Sequence, residues 1–108
     1  MKSVEIIMLN IKDQQKAKEF YLKLGFNVIV EAPAEHGETW LQMGLPGGGT
    51  SISLAKFNGI ICETDDIEAE IKALNKQGIE VGRVDTLPWG KFAWLKDVDG
   101  NSLCLHEK

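Results

Sequence analysis

Asp13-Gln14-Gln15-Lys16-Ala17-Lys18-Glu19-Phe20-Tyr21-Leu22-Lys23-Leu24-Gly25-Phe26 reads as a whole helix with its own start and stop. Asp13 is a residue type that caps helix N-termini by accepting hydrogen bonds from first-turn amides. Ala17, Phe20, Tyr21 and Leu24 recur at i, i+3, i+4 and i+7, which is one apolar face. Gly25 stands where a helix C-terminus wants a left-handed residue. Upstream, Val4–Ile11 is apolar and β-branched and reads as a strand. Downstream, Phe26–Glu31 and Thr39–Met43 read as strands, Leu45-Pro46-Gly47-Gly48-Gly49 as a flexible turn, and Thr50–Ala55 as a fourth strand.

The pattern then restarts. Asn58–Glu63 reads as a strand, Asp65 as an N-cap with Glu68 in capping-box spacing, and Ile67, Ile71 and Leu74 as one helix face stopped at Gly78. Ile79–Val84, Lys91–Lys96 and Asn101–His106 supply three more strands, with Asp97-Val98-Asp99-Gly100 turning between the last two. The spacing predicts helices over 14–24 and 66–77, in two copies of a strand–helix–three-strand module, about 1–56 and 57–108. This is an α+β chain of two tandem βαβββ modules. Neither half is expected to bury its apolar face alone, so the expectation is a single domain over 1–108.

Composition narrows the function classes. The chain has 108 residues, 44% apolar and 26% charged, the balance of a globular domain. Twelve Lys and Arg against sixteen Asp and Glu leave a net charge of −4. That disfavours nucleic acid, which needs a basic stripe to displace counterions, and anionic membrane surfaces. No apolar run approaches the ~20 residues of a membrane-spanning helix. Cys62 and Cys104 lack C-x-x-C spacing, which argues against a disulfide scaffold, a zinc ribbon and a thioredoxin-like motif. A cytoplasmic domain is expected.

Strand alternation carries a second signal. Ile7, Leu9 and Ile11 alternate with Ile6, Met8 and Asn10; Leu41 and Met43 alternate with Trp40 and Gln42; Ile52 and Leu54 alternate with Ser51 and Ser53. In the second module, Ile60 and Cys62 alternate with Gly59, Ile61 and Glu63. Ala93 and Leu95 alternate with Phe92 and Trp94, and Leu103 and Leu105 with Ser102, Cys104 and His106. Period two puts each pair of sets on opposite sheet faces. The aliphatic face must meet the helices. The mixed face, with its aromatics and small polar groups, fits a partly apolar cavity with a few polar anchors.

Lys16-Ala17-Lys18-Glu19-Phe20-Tyr21 through Leu24-Gly25-Phe26, Thr64-Asp65-Asp66-Ile67, and Lys96-Asp97-Val98-Asp99-Gly100-Asn101-Ser102-Leu103 together resemble the vicinal oxygen chelate superfamily. That group includes glyoxalase I, extradiol dioxygenases, and fosfomycin and bleomycin resistance proteins. The last segment is similar to the family's Asp-Pro-Asp-Gly-Asn turn, with Val98 in place of proline. The resemblance implies two βαβββ modules forming an open cup-shaped mixed sheet, commonly completed by a homodimer. Metal-dependent members carry His, Glu or Gln at positions that fall here on Ile6, Ser53, Gly59 and Cys104. Three of the four lack any strong donor, and a catalytic divalent site needs about three. No metal or other cofactor is therefore expected.

The candidate cup residues are Trp40, Phe92, Trp94, Met8, Ser53, Glu63, Cys104 and His106. Trp40, Phe92 and Trp94 offer stacking walls for a planar or cationic ligand, or an ordinary core or dimer contact. Glu63 offers a carboxylate that neutralises a cation if desolvated, or an exposed strand-end charge. Cys104 and His106 share a strand face roughly 6–7 Å apart, as a nucleophile and base or as packed side chains. Trp89, between Pro88 and Gly90, is a loop residue able to lid the cup. Glu31, Glu35, His36 and Glu38 cluster before the third strand without metal-site spacing. The best-fitting expectation is a metal-free small-molecule-binding protein, like the bleomycin-resistance branch, acting as a homodimer. The alternative is a lyase or dioxygenase-type enzyme with an unorthodox metal or Cys/His site.

Overall fold

A computed structural model describes residues 1–108. The element order is β1 (Ser3–Asn10), α1 (Gln14–Leu24), β2 (Asn27–Pro33), β3 (Thr39–Gly44), β4 (Ser51–Ala55), β5 (Gly59–Glu63), α2 (Ile67–Lys76), β6 (Asp85–Leu87), β7 (Gly90–Lys96) and β8 (Ser102–Glu107). Two βαβββ modules are present, as the repeat implies. The chain forms two compact units, Ile6–Asn58 and Met1–Glu5 with Gly59–Lys108. No helix is long and apolar enough to cross a membrane.

In the Ile6–Asn58 unit the strand order is β2-β3-β4-β1. β1 and β4 run parallel, with Ile6 opposite Ser51 and Met8 opposite Ser53. β3 is antiparallel to both β2 and β4. A parallel pair needs a crossover, and α1 supplies part of it. Asp13 caps α1, its carboxylate accepting from the Lys16 amide. Gly25 closes it at φ 105, a left-handed value that only glycine adopts freely. Leu41, Met43 and Leu54 form the core, with Ala17, Tyr21, Phe26 and Ile52 packed on it. Each fully buried Leu or Met side chain contributes roughly 1.5–3 kcal/mol.

One expectation for α1 needs correction. Phe20 and Leu24 do not face the core; they are 58% and 57% exposed. Tyr21 takes the inward position, edge-on to Phe26 with ring centroids 5.2 Å apart.

In the other unit the order is β5-β8-β7-β6, with β5 and β8 parallel and the remaining pairs antiparallel. Ile67, Ala93 and Leu105 are the core, covered by Ile71, Leu74, Val81, Val84 and Leu95. Two local expectations fail here. The N-cap of α2 is Asp66, accepting from the Ala69 amide, while the Asp65 carboxylate pairs with the Lys2 ammonium at 3.1 Å. Ile79–Val84 is not a strand: Val81 and Val84 pack into the core, while the Gly82 amide donates to the Trp94 carbonyl. Apolar β-branched residues there serve packing without ladder pairing, and the second strand of this module is the short β6.

Candidate ligand-binding site

β3 and β4 build the candidate site in the Ile6–Asn58 unit. Gln42 pairs with Ser53 and Met43 with Ile52. Carried on to the strand ends, that register sets Trp40 opposite Ala55, and Glu38 and Phe57 lie just beyond those ends. Glu38 is extended (φ −85, ψ 169) and leads directly into β3. A cleft of about 370 Å³ opens here, with Trp40, Phe57, Leu54 and Ile11 as apolar lining and Ser53, Gln14, Thr39, Glu38 and Lys56 as polar lining. That volume lies within the range of small-molecule sites.

A side-chain relay fixes one wall. The Trp40 indole N–H donates to Gln42 Oε1 at 3.2 Å, and Gln42 Nε2 donates to Ser51 Oγ at 2.9 Å. With its N–H engaged, Trp40 offers the cleft a ring surface and no donor. Gln14, at the start of α1, donates through Nε2 to the carbonyls of Thr39 and Leu54, both at 2.9 Å. The floor is thereby tied to the helix. Ser53 is different: it is buried, and its hydroxyl has no hydrogen-bond partner. Gln42 stands opposite it yet spends its amide on Trp40 and Ser51. Met8, the parallel neighbour of Ser53, is 1% exposed and is a packed side chain.

The other expected site residues lie on one face of the second unit. Glu63, His106 and Phe92 form a cross-strand row, and Cys104 opposes Trp94 in the next. The Phe92 ring is stacked on the His106 imidazole, centroids 4.2 Å apart and 7° from parallel, so that ring face is already covered. His106 Nδ1 lies 2.8 Å from Glu5 Oε1 and Nε2 lies 3.1 Å from the Trp89 carbonyl oxygen. Both neighbours are acceptors, and a ring nitrogen that carries a hydrogen donates to the one beside it. His106 thus joins the N-terminal strand to the Pro88-Trp89 turn, and Trp89 itself is 64% exposed at its tip.

Burial pushes the Cys104 thiol up to about 12, and its S–H points to the Leu105 carbonyl at 3.4 Å. A thiol held protonated in this way is a poor nucleophile and a poor metal ligand. Glu63 is ion-paired to Lys108 at 2.8 Å and to Lys2 at 3.6 Å. The Lys108 hydrogen bond and charge, followed by Lys2, hold its carboxyl below the ordinary range. Its charge is already answered. Trp94 is 38% exposed.

The metal positions implied by the resemblance do not fit a divalent ion. Ile6 and Ser53 supply one neutral hydroxyl between them, and Gly59 and Cys104 one protonated thiol. No group of three or more His, Cys, Asp and Glu side chains is assembled anywhere in the structure. Of the candidate cup residues, Trp40 and Ser53 line this cleft, and Phe57, Glu38 and Gln14 line it without having been among them. The only signal for these three was their place at or just beyond the ends of β3, β4 and α1.

The family model of the glyoxalase/bleomycin resistance protein/dioxygenase superfamily matches residues 3–105. The chain belongs to this superfamily. YetH of Bacillus subtilis (strain 168), an uncharacterised protein, is 29% identical over 119 aligned positions covering 99% of both chains. Methylmalonyl-CoA epimerase from Mycobacterium tuberculosis is 17% identical and has a TM-score of 0.81 over 96% of this chain and 86% of its own, which shows a shared superfamily fold. TnmS3, an antibiotic binding protein from Streptomyces sp. CB03234, is 32% identical over 99% of this chain and 96% of its own, with a TM-score of 0.47. Superfamily membership fixes the architecture, while the chemistry rests on the site itself.

Proposed function

We propose that this superfamily member is a binding protein that holds a small, flat, largely apolar molecule in the Trp40 cleft without a divalent metal. The observation that carries the reading is the cleft of about 370 Å³ itself, whose Trp40 wall is fixed by Gln42 and whose other apolar lining is Phe57, Leu54 and Ile11. Trp40, held by Gln42, and Phe57 supply dispersion to a ring placed beside them. The donor-poor set Ile6, Ser53, Gly59 and Cys104 supports a mode of binding that needs no metal. The enzyme alternative has less behind it, since Cys104 is held as a thiol and both nitrogens of His106 are engaged.

Titration with the neutral probe 1-naphthalenemethanol, followed by calorimetry, tests this. Wild type should bind it, and Trp40→Ala should weaken binding by about 1–2 kcal/mol, roughly five- to thirty-fold. Equal affinity in the variant, or no binding to wild type, would defeat the proposal.

The proposal extends to a homodimer. Phe20, Leu22 and Leu24 of α1 and Val28, Ile29 and Val30 of the edge strand β2 are exposed apolar side chains of one unit. Edge strands of this composition call for cover, and a second copy presents the same surface. Sedimentation at micromolar concentration should give twice the 12.0 kDa chain mass; a monomer would contradict this part.

A further inference from the structure

We infer that Glu38 makes the Trp40 cleft selective for a flat organic cation, an inference that rests on the cleft being the binding site. Glu38 lines the cleft and has no ion-pair partner. This separates it from Glu63, which two lysines neutralise, and from Glu31, which Lys18 holds at 2.9 Å. Glu38 lines this cleft together with Trp40 and Phe57. A carboxylate beside two aromatic rings is the arrangement that attracts an ammonium or guanidinium carried on a planar body. The ring quadrupoles and the carboxylate act on the same charge.

Other charged groups nearby are few. Lys56 lines the same cleft and opposes a cation, so its share of the charge is read separately through Lys56→Gln. Glu35 and His36 sit farther out in the exposed turn, 4.0 Å from one another. The net charge of −4 favours approach of a cation as well.

Three probes sharing one ring separate the charge effect from the cleft itself: 1-naphthylmethylammonium, 1-naphthalenemethanol and 1-naphthoate. Calorimetry at low salt should rank them cation, then alcohol, then carboxylate. Glu38→Gln should weaken the cation about two- to five-fold, the worth of a rim ion pair, and leave the alcohol unchanged. Lys56→Gln should leave the cation's affinity equal or slightly tighter. Added salt should erode the cation's advantage in wild type and not in Glu38→Gln. If Trp40→Ala weakens all three probes while Glu38→Gln leaves the cation's affinity unchanged, the cleft stands and the role of Glu38 is refuted. If no probe binds, or Trp40→Ala changes none of them, the cleft reading falls and this inference with it.

Discussion

Ser51 and Ser53 share a face of β4, two residues apart and both buried, and the same substitution should move stability in opposite directions. Ser51 Oγ accepts from Gln42 Nε2 at 2.9 Å. Ser51→Ala deletes a hydrogen bond worth about 1 kcal/mol and frees the amide that steadies Trp40, so the loss should be about 1–1.5 kcal/mol. Ser53 Oγ has no partner. Ser53→Ala removes an unpaired buried oxygen whose cost is about 1–3 kcal/mol. The oxygen-sized void left behind returns only about 0.3 kcal/mol of that, at about 24 cal/mol per Å³. The expected gain is about 1–2 kcal/mol, which separates the two variants by about 2–3 kcal/mol. Urea unfolding followed by tryptophan emission resolves such a gap, and in thermal unfolding 1 kcal/mol is roughly 4–8 °C for a domain near this size. A Ser53→Ala variant destabilised as much as Ser51→Ala would refute the reasoning, because the hydroxyl would then be paired.

Three more outcomes follow from the structure. Gly90→Ala should destabilise by about 3 kcal/mol or more, because at φ 134 a Cβ would lie 2.3 Å from the Glu107 carbonyl oxygen and 2.8 Å from His106 Nε2. Gly100→Ala, with open space around it, should cost only about 1 kcal/mol, and equal losses in urea melts would contradict this. Cys104 should resist alkylation in the folded chain at pH 8 and react once urea unfolds it; rapid labelling of the native protein would show that the thiol is not held by burial. Glu63 and Asp97 have carboxyls held below their ordinary values of 4.5 and 3.8, by Lys108 and by Asn101. Depressed values mean that their stabilisation is present above those ordinary values and lost as pH falls through the folded ones. Glu63→Gln and Asp97→Asn should therefore flatten the acid side of the stability–pH curve, and an unchanged acid limb in both would count against these pairings.

The modules were legible because local rules and the global fold agree there: Asp13 caps, Gly25 stops, and the strands alternate. Ile79–Val84 misled because a coil that tucks Val81 and Val84 into the core has the same composition as a strand. Only the pairing partner distinguishes them. Asp65 and Asp66 are equivalent as caps in sequence, and only the start of the helix at Ile67 separates them. The same limit governs the site. Trp40 and Ser53 followed from period two, since both lie inside strands. Glu38 and Phe57 lie past the strand ends, where the period no longer says which way a side chain points. Glu63 looked like the available anion because nothing local reveals that Lys2 and Lys108 converge on it. Phe92 looked like an open wall because stacking by His106 depends on the β7–β8 register.

The central claim is that the Trp40 cleft is where a ligand binds. Amide chemical-shift mapping during titration with 1-naphthylmethylammonium tests it most directly. The account expects the largest shifts at Glu38–Gln42, Ser51 and Ser53–Phe57, together with the Trp40 indole N–H, and little change at Phe92, Trp94 or His106. Saturating shifts centred on Phe92 and Trp94 instead, or no saturable shift at Trp40, would contradict it.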